Sequence, residues 1–410
     1  MYEPRTAFSP SLGPWLIERG LAGDDVATLV AGLCQRLVDQ GLPLLRAFMG
    51  LQTLQTLYGG YAYIWRRGVG ELATEFYLRK QGQNPDFRNS PFHYMREQKM
   101  LRYRQNLEGP AEREFSIYEL FRAEGGTDYF VRLFPFGRNH DRNHSLERGR
   151  EDGLLISMVF DKPGGMTDDE IDALEEVLGV FALAARSAAT YATAVSVAAT
   201  YLGRDAGQRV MDGDVDRGTA SSMRAVIYYA DLRGFTPLAE SLPGPDLLAM
   251  LDDYLDAMAR PVLEQGGAVL KFLGDGVLAV FEITDDDAEC HVACRQGLAA
   301  GRAAFAAVDT LNRARGPAGR PVMEMDLALH IGDVLYGNVG AEGRLDFTVI
   351  GPAVNEASRI EAMCGTLDRH WLVSEAFHHH ARHCTDQMEA MGRHQLRGLS
   401  GDRALYSLPV

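Results

Sequence analysis

Two stretches in the C-terminal half of the chain decide the fold: AVIYYADLRGFTPLAE at residues 225–240 and AVLKFLGDGVLAVFE at residues 268–282. The first begins with an apolar run typical of a buried strand and continues into a helical pattern. The second is typical of two strands joined by a tight Gly-Asp-Gly turn. With the elements predicted downstream, the order is βαββαβ with antiparallel hairpins, which indicates an α+β sandwich with helices on one side of a sheet.

Toward the N-terminus, a long helical pattern from about residue 169 to residue 210 leads into this domain. It follows Thr167-Asp168-Asp169-Glu170, a capping box that predicts the start of a helix. We interpret this helix as a rod between two folded units that could hold two chains together and pass on a change in their orientation. A plain spacer is the alternative interpretation.

The N-terminal part of the chain predicts a second domain of the α/β type. A helical pattern covers residues 24–40, and strand patterns begin at Leu44, Gly59, Thr127 and Gly153. This order, with the motif TDYFVRLF and a later Pro-Gly-Gly turn, resembles GAF-type sensory domains. We therefore expect three parts: a GAF-like sensory or regulatory domain at 1–185, a connecting signalling helix and linker at 186–222, and the C-terminal domain at 223–410.

Composition restricts the classes of function. The 410 residues carry 41 Lys and Arg against 56 Asp and Glu, a net charge of −15, so the chain should not bind nucleic acid or anionic membrane surfaces. Five scattered cysteines do not form a disulfide framework. The uncharged stretch at 187–203 is shorter than the roughly 20 strongly apolar residues of a membrane span. The expectation is a cytoplasmic protein with no membrane span.

Two aspartates are candidate metal ligands in the C-terminal domain. Asp231 comes at the end of its first strand, and Asp275 lies in the hairpin turn. Carboxylates on adjacent loops at one end of a sheet are suited to Mg²⁺, which prefers hard oxygen ligands. Gly234, Phe235 and Thr236 follow Asp231 and are predicted to open a helix, whose free N–H groups can receive phosphate oxygens. Either aspartate alone would be weak evidence, because surface turns are rich in Asp.

A second candidate pair lies further downstream in the motif GPAVNEASRIE. Pro352 suits the first turn of a helix, and Asn355 and Arg359 then share one face because they are four residues apart. A solvated helix face is the alternative interpretation of such a pair. The preceding RLDFTVIG makes the pattern much more specific.

Taken together, residues from about 224 to 408 resemble the catalytic domain of class III adenylate/guanylate cyclases. The resemblance runs through five ordered motifs: ADLRGFT, KFLGDGVLAVF, LHIGDVLYGNVG, RLDFTVIGPAVNEASRIE and QLRGLSGDRALYSL. It implies a ferredoxin-like βαββαβ cyclase fold and a head-to-tail homodimer with composite active sites at the interface. It also implies two Mg²⁺ or Mn²⁺ ions in each site.

The matching motifs assign the site residues of the family to positions in this chain. The resemblance implies that Asp231 and Asp275 bind metal through their side chains and that Leu232 binds metal through its backbone carbonyl. It implies that Lys271 and Thr348 select the purine. It also implies that Asn355 and Arg359 stabilise the transition state. Arg344 is a candidate triphosphate contact, with a plain surface arginine as the alternative. Family members often carry Asp where this chain has Pro352, a change that a helix start tolerates.

The choice of purine follows from hydrogen-bond donors and acceptors. Lys271 can only donate, which fits the acceptor N1 of adenine, whereas guanine presents a donor there. The Thr348 hydroxyl can accept from the adenine amino group, although it could also donate. We therefore expect ATP as the substrate and cyclic AMP as the product, with GTP as the second candidate.

Lys271 and Asp275 are only four residues apart, yet they would serve opposite ends of one nucleotide. The resemblance accordingly places the aspartates of one subunit opposite the purine-selecting and transition-state residues of the other. Two functions are open at this point: an ATP cyclase regulated by its N-terminal domain, or an inactive cyclase-like module that binds nucleotide. The signal for the N-terminal domain, a small molecule or a protein, is not indicated by any motif.

Overall fold

The computed structural model describes residues 9–52, 58–78, 89–111, 113–136, 153–284, 287–385 and 387–410. The chain divides into two compact units, with the boundary between Val197 and Ala198. The boundary falls inside a long helix, within the segment that the sequence analysis assigns to a connecting helix and linker.

The N-terminal unit is built on a six-stranded antiparallel sheet with the strand order β3-β2-β1-β6-β5-β4. The strands are β1 Leu44–Gln52, β2 Tyr58–Arg66, β3 Ala73–Leu78, β4 Arg102–Asn106, β5 Asp128–Pro135 and β6 Gly153–Phe160. The sheet carries helices on both faces. The predicted GAF-like character of this unit stays a prediction.

One face of this sheet packs against three helices, and the other face packs against two. On the first face lie α1 Ser9–Leu21, α2 Val26–Asp39 and the N-terminal part of α5 Asp168–Leu202. On the second lie α3 Pro91–Glu97 and α4 Ser116–Ala123. The predicted capping box at the start of α5 is confirmed, because the Thr167 N–H donates to Glu170 and the Glu170 N–H donates to the Thr167 hydroxyl.

The prediction of one continuous helix from 169 to 210 is wrong at Gly203. There the backbone takes φ = 90°, a left-handed value that favours glycine, and a separate helix α6, Arg204–Met211, begins. A Cβ on Gly207 would lie 2.6 Å from the Ala199 nitrogen, so glycine permits this close return of the chain. By length and composition α5 could cross a membrane. Its N-terminal part, including Leu174 and Phe181, is fully buried in the first unit.

The C-terminal unit is built on an eight-stranded sheet with the order β13-β14-β12-β10-β7-β9-β8, and β11 pairs with β10. Its strands are β7 Ala220–Arg233, β8 Ala268–Leu273, β9 Gly276–Ile283, β10 Glu324–Ala341, β11 Arg344–Ile350, β12 Trp371–Ser374, β13 Glu389–Gln395 and β14 Asp402–Ser407. Its further helices are α7 Phe235–Ser241, α8 Gly244–Glu264, α9 Asp287–Arg315, α10 Pro352–Glu361, α11 Met363–Leu367 and α12 Glu375–Ala381.

Strand β7 lies at the centre of this sheet and contributes to two cores. Tyr228 and alternate neighbours pack under α8 and α9, whereas Ile227 faces the opposite core together with Ala357 of α10 and Ala206 of α6. Helices therefore cover both faces, and the prediction of helices on one side only is wrong. The α+β class and the βαββαβ order are as predicted.

Candidate active site

The two predicted metal-binding aspartates lie side by side. Asp231 is located two residues before the end of β7, and Asp275 lies in the turn between β8 and β9. Because β7 pairs with β9, with Ala230 opposite Val277, the hairpin turn is brought next to Asp231. The two carboxyl groups lie close enough for the charge of Asp275 to raise the pKa of Asp231.

Gly276 provides the space for this close approach. A Cβ at position 276 would lie 2.9 Å from the Ala230 carbonyl oxygen and 3.0 Å from Oδ1 of Asp231. Neither the strand backbone nor the half-buried carboxylate can easily move away. The Gly-Asp-Gly motif is therefore a spatial requirement of the site as well as a turn signal.

Burial dominates the electrostatics of both aspartates, and the charge of Asp275 adds to its effect on Asp231. Burial first, and then the charge of Asp275, raise the pKa of Asp231 from its usual 3.8 to about 6. Burial also raises the pKa of Asp275. Glu361, at the end of α10, is a third nearby acid, and burial followed by the charge of Asp231 raises its pKa to about 7. Sequence reasoning did not single out Glu361, since only the fold brings it close to the pair.

These residues fit a divalent cation. Oδ1 of Asp231 is buried and accepts no hydrogen bond from any residue that the structure describes. A buried carboxylate oxygen without a donor is costly unless a cation binds it. Two adjacent carboxylates also supply the hard oxygen ligands that Mg²⁺ and Mn²⁺ prefer.

A fourth carboxylate beside the pair is neutralised within the protein. Asp326 of β10 lies directly opposite Asp231 in the strand register and is buried. Arg233 forms an ion pair with it at 2.8 Å, and Nδ1 of His370 lies 2.8 Å from Oδ1 of the same side chain. The local excess of negative charge therefore falls on Asp231, Asp275 and Glu361. Sequence reasoning missed this network, whose members are distant along the chain.

The proposed purine-selecting residues lie on adjacent parts of β8 and β11. The Lys271 ammonium forms an ion pair with Asp346, which the sequence analysis did not name. Asp346 and Thr348 are two residues apart on β11, so their side chains lie on the same face. Lys271 and Thr348 are thus brought to one side of the sheet. The signal that could have identified Asp346 was its strand spacing from Thr348.

Asn355 and Arg359 lie on the exposed face of α10, opposite the buried residues Ala353, Ala357 and Ile360. Within the described residues, no hydrogen bond or ion pair connects either side chain to Asp231 or Asp275. Within one chain, the aspartate pair and the face of α10 that carries Asn355 and Arg359 are therefore not in direct contact through hydrogen bonds or ion pairs.

The remaining predicted contacts lie at element ends. Gly234 has φ = 78° and precedes α7, so Phe235 and Thr236 form the first turn of this helix just after the metal-binding strand. Arg344 is exposed at the start of β11, where it pairs with Ala341 beside the β10–β11 turn. It lies four residues, roughly 13 Å along a strand, from Thr348 and is not brought next to it.

Comparison with known proteins assigns this part of the chain. Residues 219–409 match the family model described as the adenylate and guanylate cyclase catalytic domain. An adenylate cyclase of Anabaena cylindrica is 33% identical over 167 residues, which cover 40% of this chain and 32% of that protein. Adenylate cyclase 2 of Rhizobium meliloti (strain 1021) is 28% identical over 263 residues, which cover 62% of this chain and 67% of that protein.

Among solved structures, the adenylyl cyclase CyaB from P. aeruginosa is 25% identical with a TM-score of 0.43, covering 47% of this chain and 96% of that chain. The segment 219–409 belongs to the class III adenylate/guanylate cyclase family. The chain spans about a third of the length of the Anabaena cylindrica protein and 20% of adenylate cyclase 1 of Rhizobium meliloti.

The charge on the aspartate pair predicts a pH-dependent stability. Because the pKa of Asp231 is raised to about 6, its favourable contribution is present below its usual pKa of 3.8 and is lost as the pH rises through about 6. Without divalent cations at pH 8, Asp231→Asn should therefore be more stable than the wild type, by on the order of 1 kcal/mol for a partly exposed group. Differential scanning calorimetry from pH 5 to pH 8 measures this difference.

Addition of MnCl₂ should raise the unfolding midpoint of the wild type and leave that of Asp231→Asn nearly unchanged. Asp309→Asn, in an exposed ion pair with Arg313 on α9, is the matched control and should show neither effect. A wild type that is more stable than Asp231→Asn at pH 8 without cations would contradict the repulsion described above.

Proposed function

We propose that this chain is an adenylate cyclase that converts ATP into 3′,5′-cyclic AMP and pyrophosphate by in-line attack of the ribose 3′-hydroxyl on the α-phosphorus. The observation that carries the proposal is the contact between Asp231 and Asp275, with a buried oxygen that has no hydrogen-bond donor. The relatives named adenylate cyclase support the same reaction.

Each group of the chain has a part in this reaction. Asp231, Asp275 and the carbonyl oxygen of Leu232 would hold two divalent cations, Mg²⁺ or Mn²⁺. Such cations, when bound, lower the pKa of the attacking hydroxyl and neutralise the triphosphate. The backbone N–H groups of Gly234, Phe235 and Thr236, at the start of α7, would donate to phosphate oxygens.

The helix face of α10 acts on the reacting centre. The Arg359 guanidinium donates to the α-phosphoryl oxygens as their charge develops, and Asn355 orients the ribose. Both side chains are exposed on the free chain and therefore accessible to a nucleotide. Arg344 is the proposed contact to the outer phosphates.

Lys271 and Thr348 would select the purine. The lysine donates to N1 of adenine, and the threonine hydroxyl accepts from the 6-amino group. Asp346 holds the Lys271 ammonium by an ion pair and leaves its other N–H groups available for the base. This arrangement favours ATP over GTP, because guanine carries an N–H donor at N1 and would place it against the lysine ammonium, which is also a donor.

The site is completed by a second copy of the chain. Lys271 belongs to β8, and Asp275 follows in the turn of the same hairpin, so one nucleotide cannot easily receive both from one chain. In a two-fold homodimer, the aspartates of one subunit face Lys271, Thr348, Asn355 and Arg359 of the other, which gives two equivalent sites. We further propose that the protein is cytoplasmic and that its N-terminal unit regulates the activity.

An assay of the purified full chain with ATP and Mg²⁺ or Mn²⁺ tests the reaction. We expect cyclic AMP and pyrophosphate in equal amounts, slower conversion of GTP, and a loss of at least about 10²-fold for Asp275→Ala. Asp309→Asn should retain wild-type activity. Absence of product at protein concentrations that populate a dimer would overturn the proposal in favour of an inactive nucleotide-binding module.

Mixing two inactive variants tests the shared site. Asp231→Ala and Arg359→Ala should each be inactive alone, and equal mixing should recover about a quarter of the wild-type activity, because half of the dimers are mixed and each retains one intact site. Cyclic AMP formation after re-equilibration measures the recovery. Mixing Asp231→Ala with Asp275→Ala is the matched control and should recover nothing. Activity of the same size in both mixtures would contradict sharing across the interface.

The ion pair on Lys271 predicts an effect on purine selection. Asp346→Asn should raise the KM for ATP by about 3- to 10-fold with little change in kcat, since a less well held lysine binds the base more weakly. The ratio of kcat/KM for ATP to that for GTP should fall in parallel. Asp256→Asn, which breaks an exposed ion pair with Arg260 on α8, is the matched control. An unchanged ratio would exclude a role for Asp346 in selection.

A further inference from the structure

The N-terminal unit contains a guanidinium group in an unusual environment. Arg46 lies in β1, next to Arg66 of β2 on one side and Val159 of β6 on the other in the strand register. Val159 belongs to the core under α3 and α4, and the guanidinium carbon of Arg46 lies 5.3 Å from the ring centroid of Phe121 in α4. The side chain of Arg46 is therefore directed into the space between the sheet and these helices.

Two nitrogen atoms of this guanidinium have no hydrogen-bond partner. Nε and Nη1 of Arg46 are both buried, and within the residues that the structure describes nothing accepts their protons. They carry three of the five N–H groups of the side chain. A half-buried cation whose N–H groups have no acceptor is unfavourable, because part of its hydration is lost without compensation.

The acidic groups near Arg46 are already engaged. Glu124 lies 4.0 Å from Nε of Arg66. Glu75 accepts a hydrogen bond of 2.7 Å from the Tyr77 hydroxyl. Burial, followed by the charge of Arg66, lowers the pKa of Arg46, while the charges of Glu124 and Glu75 act in the opposite direction. Among the described residues, neither glutamate forms an ion pair with Arg46.

The surroundings of Arg46 are apolar and aromatic. Besides Phe121, the rings of Phe48 on β1 and Phe92 on α3 stack with centroids 5.5 Å apart on the same face of the sheet. A cation–π contact, in which the quadrupole of the ring attracts the cation, is too weak to replace three hydrogen bonds. An acceptor with several oxygen atoms would satisfy the free N–H groups and neutralise the charge.

We propose that Arg46 is the anchor of a binding site in the N-terminal unit for a small organic molecule that carries a carboxylate or phosphate group. The oxyanion accepts from Nε and Nη1 of Arg46, Arg66 adds long-range attraction, and the aromatic rings contact the apolar part of the ligand. This site is independent of the proposed cyclase reaction, because it lies entirely within the other unit.

Thermal unfolding of the full chain tests the site, with Arg359→Ala as the parent so that phosphate does not bind through that arginine. The probes are sodium phosphate and sodium benzoate, compared with sodium chloride at equal ionic strength. At least one of the two should raise the midpoint of the N-terminal unit by several degrees in a saturable manner. A response to phosphate alone assigns a phosphoryl ligand, and a response to benzoate alone assigns a carboxylate.

Arg46→Met on this parent should abolish the shift and, without anion, should be as stable as the parent or more stable, because it removes an unpartnered buried charge. Arg132→Met is the matched control: Arg132 lies 2.8 Å from Glu175, so its loss should lower the midpoint and leave the anion response intact. Arg46→Lys keeps the charge with fewer donors and should raise the half-saturating anion concentration at least 10-fold.

Three outcomes overturn the proposal. The first is an equal response to chloride and to both oxyanions, which would indicate only screening. The second is an anion response that persists unchanged in Arg46→Met, or in Arg46→Lys if the methionine variant does not fold. The third is a loss of stability in Arg46→Met, without anion, as large as that in Arg132→Met, which would show an internal partner such as a buried water molecule.

Discussion

The repulsion between Asp231 and Asp275 is the constraint on which the catalytic unit depends. The pairing of β7 with β9 forces these carboxylates together, and Gly276 removes the side chain that would keep them apart. Their burial, and then their proximity, cost free energy in the cation-free protein, and both raise the pKa of Asp231. Binding of a divalent cation would therefore remove an unfavourable interaction between the two carboxylates.

The surrounding polar network keeps this negative charge local. Asp326, directly across the strand pair, is compensated by Arg233 and His370 and so does not add an unbalanced charge. Lys271, four residues before Asp275 on the β8–β9 hairpin, is likewise compensated by Asp346. Charges that serve the fold are paired inside the chain, whereas the aspartate pair lacks a cationic partner among the described residues.

Much of this arrangement could be predicted because its determinants are local. A strand followed by a tight turn predicted the convergence of Asp231 with Asp275, and helical spacing predicted the shared exposed face on α10. Contacts between distant segments could not be predicted in the same way: the Lys271–Asp346 pair joins residues 75 positions apart. The helix break at Gly203 was missed because a single glycine in an uncharged small-residue run is also compatible with a continuous helix.

The β8–β9 hairpin has a mechanical consequence in the proposed homodimer. Because it carries Lys271 on a strand and Asp275 at its turn, each hairpin contributes the base contact of one catalytic centre and a cation ligand of the other. Nucleotide that draws the lysine toward its base in the first centre also moves the carboxylate of the second. The two centres are thereby coupled through the five residues from Lys271 to Asp275. Binding of nucleotide at one centre can then weaken binding at the other, which would give unequal occupancy and negative cooperativity in a symmetric enzyme.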